Sequence, residues 1–200
     1  MGGDGELARR AVHASGTVLP ASYLLGVVAW RQLRYLLLAL TGLVFLLEFL
    51  RLVVGLDHWV YDRLTRSYEA TNVAGYALFM VAFTVAAFAF APPVAVPAML
   101  MLSIGDPISG YLGSNDAGTA KELGVLAVMF LVCFGLAVPF TAGHATPVAV
   151  AAAAAGALGA TAADGLKPVI AGYVVDDNLT IPPVAGAGMT LVYALAGVAA

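Results

Sequence analysis

Two stretches of this chain set acidic, amide and lysine groups directly against apolar runs. The first reads SIGDPISGYLGSNDAGTAKELG over residues 103–124, with Asp106 at the end of an apolar run and Gly105, Gly110, Gly113 and Gly118 around it. Glycines let backbone N–H groups turn toward an anion, and a lysine closing such a stretch, here Lys121, can pair with phosphate. No GK[ST] follows the glycines, so this is no Walker loop. A flexible connection with Asp106 as a cap reads the same residues without chemistry. The second stretch, ATAADGLKPVIAGYVVDDNLTIPPVAG over 160–186, carries Asp164, Lys167 and the cluster Asp176, Asp177 and Asn178. Carboxylates with an amide oxygen are hard ligands, suited to magnesium bearing nucleotide phosphates. Charges this close to hydrocarbon are costly, which favours function; helix capping by Asp177 or Asn178 before Pro182 and Pro183 is the structural alternative.

The elements that must position these groups are membrane helices. Hydrophobic residues make up 62% of the 200-residue chain and charged residues 10%, with a mean hydropathy of +0.94; a soluble domain carries about 25% charged residues. The apolar runs leave room only for loops, which predicts a single domain over 1–200, an all-α polytopic bundle of about seven spans. The runs fall at 15–30, 35–50, 72–91, 93–104, 123–142, 147–163 and 181–199, with Pro92, Pro93 and Pro97 marking the fourth as short or kinked. Alternate crossings then gather Arg9, Arg10, Arg51, Arg63, Arg66, Lys121 and Lys167 on one side and leave Arg31 and Arg34 on the other, so the first side is cytoplasmic. Nearly all the acids share that side, and Glu48 alone lies within a span. The formal net charge of −3 and the lack of a basic stripe argue against nucleic acid. Cys133, the single cysteine, sits in an apolar run and reads as a packed core residue.

The strings GDPISGYLG, AATAAD and above all DDNLTIPPVAG, together with the early RRAVHASG and with LLEFLR, resemble the CTP-dependent polyprenol kinases, the group of dolichol and phytol kinases. The likeness covers most of the chain. It implies a cytoplasmic site that binds CTP with a divalent ion and phosphorylates the hydroxyl of a membrane isoprenoid alcohol. Carried over by position, Gly105, Gly110, Gly113, Lys121 and Lys167 would hold the nucleotide. Asp106, Asp176, Asp177 and Asn178 would hold Mg2+, and Asp164 with Lys121 would serve the transfer, Asp164 accepting the alcohol's proton. His13 follows Arg9 and Arg10 at helical spacing, to meet phosphate or to lie on an interfacial helix; Arg51, Arg63 and Arg66 suit lipid headgroups. Two features depart from the family pattern: the short KELG where a longer insert and a serine-bearing lysine segment are usual, and Asp164 where glutamate is common. A phosphatidate cytidylyltransferase is the nearer alternative, but its histidine-glycine-rich acidic segment is missing. Acids at span ends also suit a transporter, against which Glu48 as the one acid within a span and the lack of internal repeats both speak, and the KELG departure would suit an inactive assembly subunit.

Overall fold

The computed structural model describes residues 3–56, 58, 59, 61, 65, 69–113, 121–166, 169, 170 and 173–200, with the backbone alone for 3–8, 169, 170, 173 and 174. Eight helices carry the described chain: α1 (Gly3–Ser15), α2 (Val18–Leu24), α3 (Trp30–Val54), α4 (Gly75–Ala89), α5 (Pro92–Leu112), α6 (Leu123–Thr141), α7 (Thr146–Gly165) and α8 (Asp177–Ala196). A two-residue ladder, β1 (Val169–Ile170) with β2 (Tyr173–Val174), closes the α7–α8 connection as an antiparallel hairpin.

Five of these, α3, α5, α6, α7 and α8, are long and apolar enough to cross a membrane, and α4 is an apolar helix of 15 residues. This is consistent with a membrane protein. The predicted count of seven is not reproduced: the third predicted span, 72–91, is the short α4, and the first is broken. Residues 15–30 form no continuous helix: α1 ends at Ser15, α2 lasts seven residues, and Gly26 turns the chain at φ 69°. Gly16 sits at the α1–α2 corner because a Cβ there would lie 2.4 Å from the Phe79 ring. The broken segment still packs inward, through Leu19, Tyr23 and Val28.

Elsewhere the boundaries follow backbone chemistry. Proline opens α5 at Pro92 and α7 at Pro147, where its missing N–H costs nothing. Gly55, at φ 74°, and Gly197, at φ 68°, end α3 and α8 in the left-handed region that favours glycine. The fourth predicted span, 93–104, is one part of a longer helix, because α5 runs on through a π turn, Met101–Gly105, into Asp106–Leu112. Pro107 cannot donate to the Ser103 carbonyl, so the regular ladder is interrupted just where the chain widens into that turn.

Hydrophobic attraction alone does not draw helices together in lipid, so close packing of small residues does the work. The α7–α8 interface shows this: a Cβ on Gly159 would meet the Val184 carbonyl oxygen at 2.9 Å, and one on Gly188 the Ala155 oxygen at 2.8 Å. Helix α5 is the centre of the bundle, with 72% of its apolar window buried against 11% for the peripheral α3. Thr41 on α3 ties to α4 by hydrogen bonds with Thr84 at 2.8 Å and with the Met80 carbonyl at 3.1 Å. From α3 to α8 the six helices alternate in direction. The C-termini of α3, α5 and α7 and the N-termini of α4, α6 and α8 therefore meet at one end, and α1 lies there too.

Candidate functional site

The second polar stretch reaches this end as two helix termini. Asp164 is one residue from the end of α7, and Asp177 opens α8, which begins four residues earlier than the span predicted at 181–199. The first stretch supplies Asp106, just past the π turn of α5. One carboxylate oxygen from each of Asp106, Asp164 and Asp177 lies within 4.8 Å of the others. Asp164 is fully buried and Asp177 nearly so.

Lys121, two residues before α6, is also buried and sends its Nζ to Asp164 Oδ1 at 2.7 Å and to Ser109 Oγ at 2.9 Å. Ser109 in turn donates to Asp164 Oδ2 at 2.6 Å. Ser109 stands three residues after Asp106, on the same face of the helix, so its recruitment was readable from spacing; sequence reasoning missed it because serine alone carries no charge signal. Three carboxylates this close repel one another in a poorly solvated setting. Oδ1 of Asn178, a residue beside Asp177, is buried and has no hydrogen-bond partner among the described residues. Hard oxygen donors gathered this closely, with an unspent amide oxygen beside them, fit a divalent cation such as Mg2+.

Asp176 does not join the three. It caps α8, accepting from the Asn178 N–H at 2.9 Å and from Asn178 Nδ2 at 2.6 Å, so the capping role falls to the residue before the pair singled out for it. It holds Asn178 in place rather than standing with the three carboxylates. Pro182 and Pro183, inside the same helix, cannot donate to the carbonyls of Asn178 and Leu179, which loosens the ladder at its site-facing end.

The glycines are placed differently from the expected phosphate loop. Residues 106–112 are helical, so Gly110 is a helix residue, and its carbonyl accepts from Arg10 Nη2 at 2.6 Å. A Cβ on Gly105 would meet Cys133 Sγ at 3.0 Å, and one on Gly113 would meet Val125 Cγ1 at 3.2 Å. Both let α5 press against α6. Their use here is close packing, since α5 continues as helix through 106–112 where the glycines alone suggested an open loop. Lys167, Gly118, Arg63 and Arg66 lie outside the described residues.

Helix α1 brings His13 to the cluster, its Nδ1 at 3.2 Å from Asp106 Oδ2. Arg51, expected at lipid headgroups, turns inward instead. Its guanidinium grips both oxygens of Glu48, at 2.9 and 2.7 Å, and reaches the carbonyls of Glu69 and Asn72 at 3.0 and 2.6 Å. Tyr76 also donates to Glu48, which accepts the Ala74 N–H at 2.9 Å. Glu48, the one acid within a predicted span, is thus a tie that clamps the end of α3 to the start of α4. The i, i+3 spacing of Glu48 and Arg51 was its sequence signal.

Fold and site together define the class: an all-helical chain, its long apolar helices suited to a bilayer, with a buried acidic cluster at one end. Beyond that class, no family model matches this chain, no curated protein matches it, and no solved structure matches it.

Proposed function

We propose that this protein is a CTP-dependent kinase of a membrane isoprenoid alcohol, acting at the cytoplasmic face. The observation that carries the reading is the meeting of Asp106, Asp164 and Asp177 within 4.8 Å at helix termini, beside Lys121. The strings that resemble polyprenol kinases, GDPISGYLG and DDNLTIPPVAG, are the ones that contribute Asp106 and Asp177.

In this reading Asp106 and Asp177, with the Asn178 amide oxygen, would hold Mg2+, which when bound would neutralise charge on the nucleotide's phosphates. The alcohol oxygen attacks the γ-phosphorus, the bond from that phosphorus to the β,γ-bridging oxygen breaks, and CDP leaves with the electron pair. Such a transfer asks for positioning and charge balance more than covalent help. Lys121 supplies the positive charge. Asp164, fully buried and engaged by Lys121 and Ser109, positions that ammonium. The alcohol's proton goes instead to the pair of His13 and Asp106, whose Nδ1–H to carboxylate bond leaves Nε2 as the acceptor.

The test is incubation of membranes holding the protein with γ-labelled and, separately, α-labelled CTP and a prenyl alcohol. Label entering lipid from the γ position alone supports the kinase; transfer of the α label to phosphatidic acid makes it a cytidylyltransferase. Asp177→Asn should lower γ transfer by about 10²-fold or more, the range for losing one preorganised electrostatic group, with its detergent-extracted helicity unchanged.

A further inference from the structure

A cavity of about 420 Å3 lies between the α1–α2 corner, α3 and α4, inside the roughly 300–1,000 Å3 range of small-molecule sites. Gly16, Leu19, Val44, Leu47, Phe79 and Met80 form its walls. Its flank opens beside exposed apolar side chains: Val18 is 68% exposed and Leu47 36%. On helices of this kind such a flank faces lipid tails rather than water. A wall this apolar leaves a phosphate or a nucleoside without partners and favours hydrocarbon.

One end of the cavity is different. Val12, His13 and Tyr76 line both this groove and a small polar pocket that continues it to Arg9, Glu69, Gly75 and Asn178. His13 is bonded to Asp106, so the groove leads to the acidic cluster. Around the same end stand the carboxylates of Glu48, Glu69 and Asp106 with the guanidinium of Arg9, while Arg51 is committed to Glu48 and to backbone carbonyls, so that acids outnumber guanidiniums there. That charge pattern disfavours an anionic headgroup and accepts a neutral hydroxyl. The occupant that matches is a lipid with a long apolar body and one small uncharged polar end.

We propose that the groove between the α1–α2 corner, α3 and α4 seats the hydrocarbon chain of a prenyl alcohol, with its hydroxyl at His13 and Tyr76, facing Asp106. The site rests on the kinase reading for its chemistry, though not for its location. It gives the chain a protein wall, so that the groove selects among lipids by the segment next to the hydroxyl. Gly16 shapes that wall by letting the α1–α2 corner lie on Phe79.

The experiment compares the wild-type protein with Val44→Trp, a change on the wall of the groove. The C20 prenyl alcohol should show a KM raised at least tenfold, while a C5 prenyl alcohol and CTP keep theirs. An unchanged KM for the C20 alcohol in the folded, active variant overturns the groove. A second readout needs no turnover: a C20 prenyl alcohol bearing a diazirine in its chain is photolysed with the wild-type protein and the labelled peptides are mapped. Label on residues 44–47 and 76–80 is expected, and label confined to the outer faces of α6 and α7 overturns the proposal. Label in the groove with no γ-phosphate transfer in the wild type sinks the kinase reading alone and leaves the groove standing.

Discussion

The Lys121–Asp164 pair is buried, and that determines how it responds to change. A buried ion pair gains little over an apolar pair, but removing one partner strands the other charge at a cost of about 3–5 kcal/mol. Lys121→Met and Asp164→Asn should each lower the thermal stability of the detergent-solubilised protein by that order. The double variant should lose less than the sum of the two, which a double-mutant cycle in thermal unfolding reads directly. Additive losses would show that the two side chains do not depend on each other. Ser109→Ala should cost about 1–3 kcal/mol, because both Nζ and Oδ2 lose a partner in a dry setting. Types and positions of Asp106, Lys121, Asp164 and Asp177 were all legible as chemistry-bearing. Their division of labour was not, since Asp176 and Asp177 are adjacent in the chain, yet one turns back as a cap and the other faces the cluster. That choice depends on where α8 starts, and capping geometry decides it.

At the scale of elements, the glycines separate into two kinds. Gly159 and Gly188 keep α7 and α8 in backbone contact, so Gly159→Ala and Gly188→Ala should each destabilise by about 1–3 kcal/mol through forced separation. Gly135, on the exposed face of α6, has nothing within 4 Å of an added Cβ; Gly135→Ala should be neutral or stabilising by up to about 1 kcal/mol, from helix propensity. Melting of the three variants in one detergent checks both claims, and equal behaviour at all three would remove the packing argument. Composition announced the small-residue packing, through the alanine run at 149–155 and the glycines around it. It did not reveal the pairing of α7 with α8, nor that the stretch at 15–30 breaks at Gly16 and Gly26, since hydropathy registers apolar length and ignores backbone conformation.

For the whole molecule, the helix alternation puts every group of the candidate site at one end, and the proposed cytoplasmic orientation of that end follows from the basic residues gathered there. In a Cys133→Ser background, single cysteines at Thr71 and Leu166, both exposed at the site end, should resist a membrane-impermeant maleimide applied to intact cells. Cysteines at Ala91 and Gly143, exposed at the opposite end, should react. The reverse pattern would put the acidic cluster outside.

The sequence by itself determined that the chain is helical and apolar and that its acids gather at helix ends, because those properties depend on composition and on spacing along one element. The tertiary structure decided which ends meet. Lys121 and Asp164 are 43 residues apart and His13 and Asp106 are 93 apart, and no periodicity encodes a contact at such separation. It also decided that Arg51 is held by the Glu69 and Asn72 carbonyls rather than by lipid, and that the corner of α1 and α2 leaves an apolar groove beside the acids. Both arise from packing between helices, where one side chain's neighbours come from elsewhere in the chain.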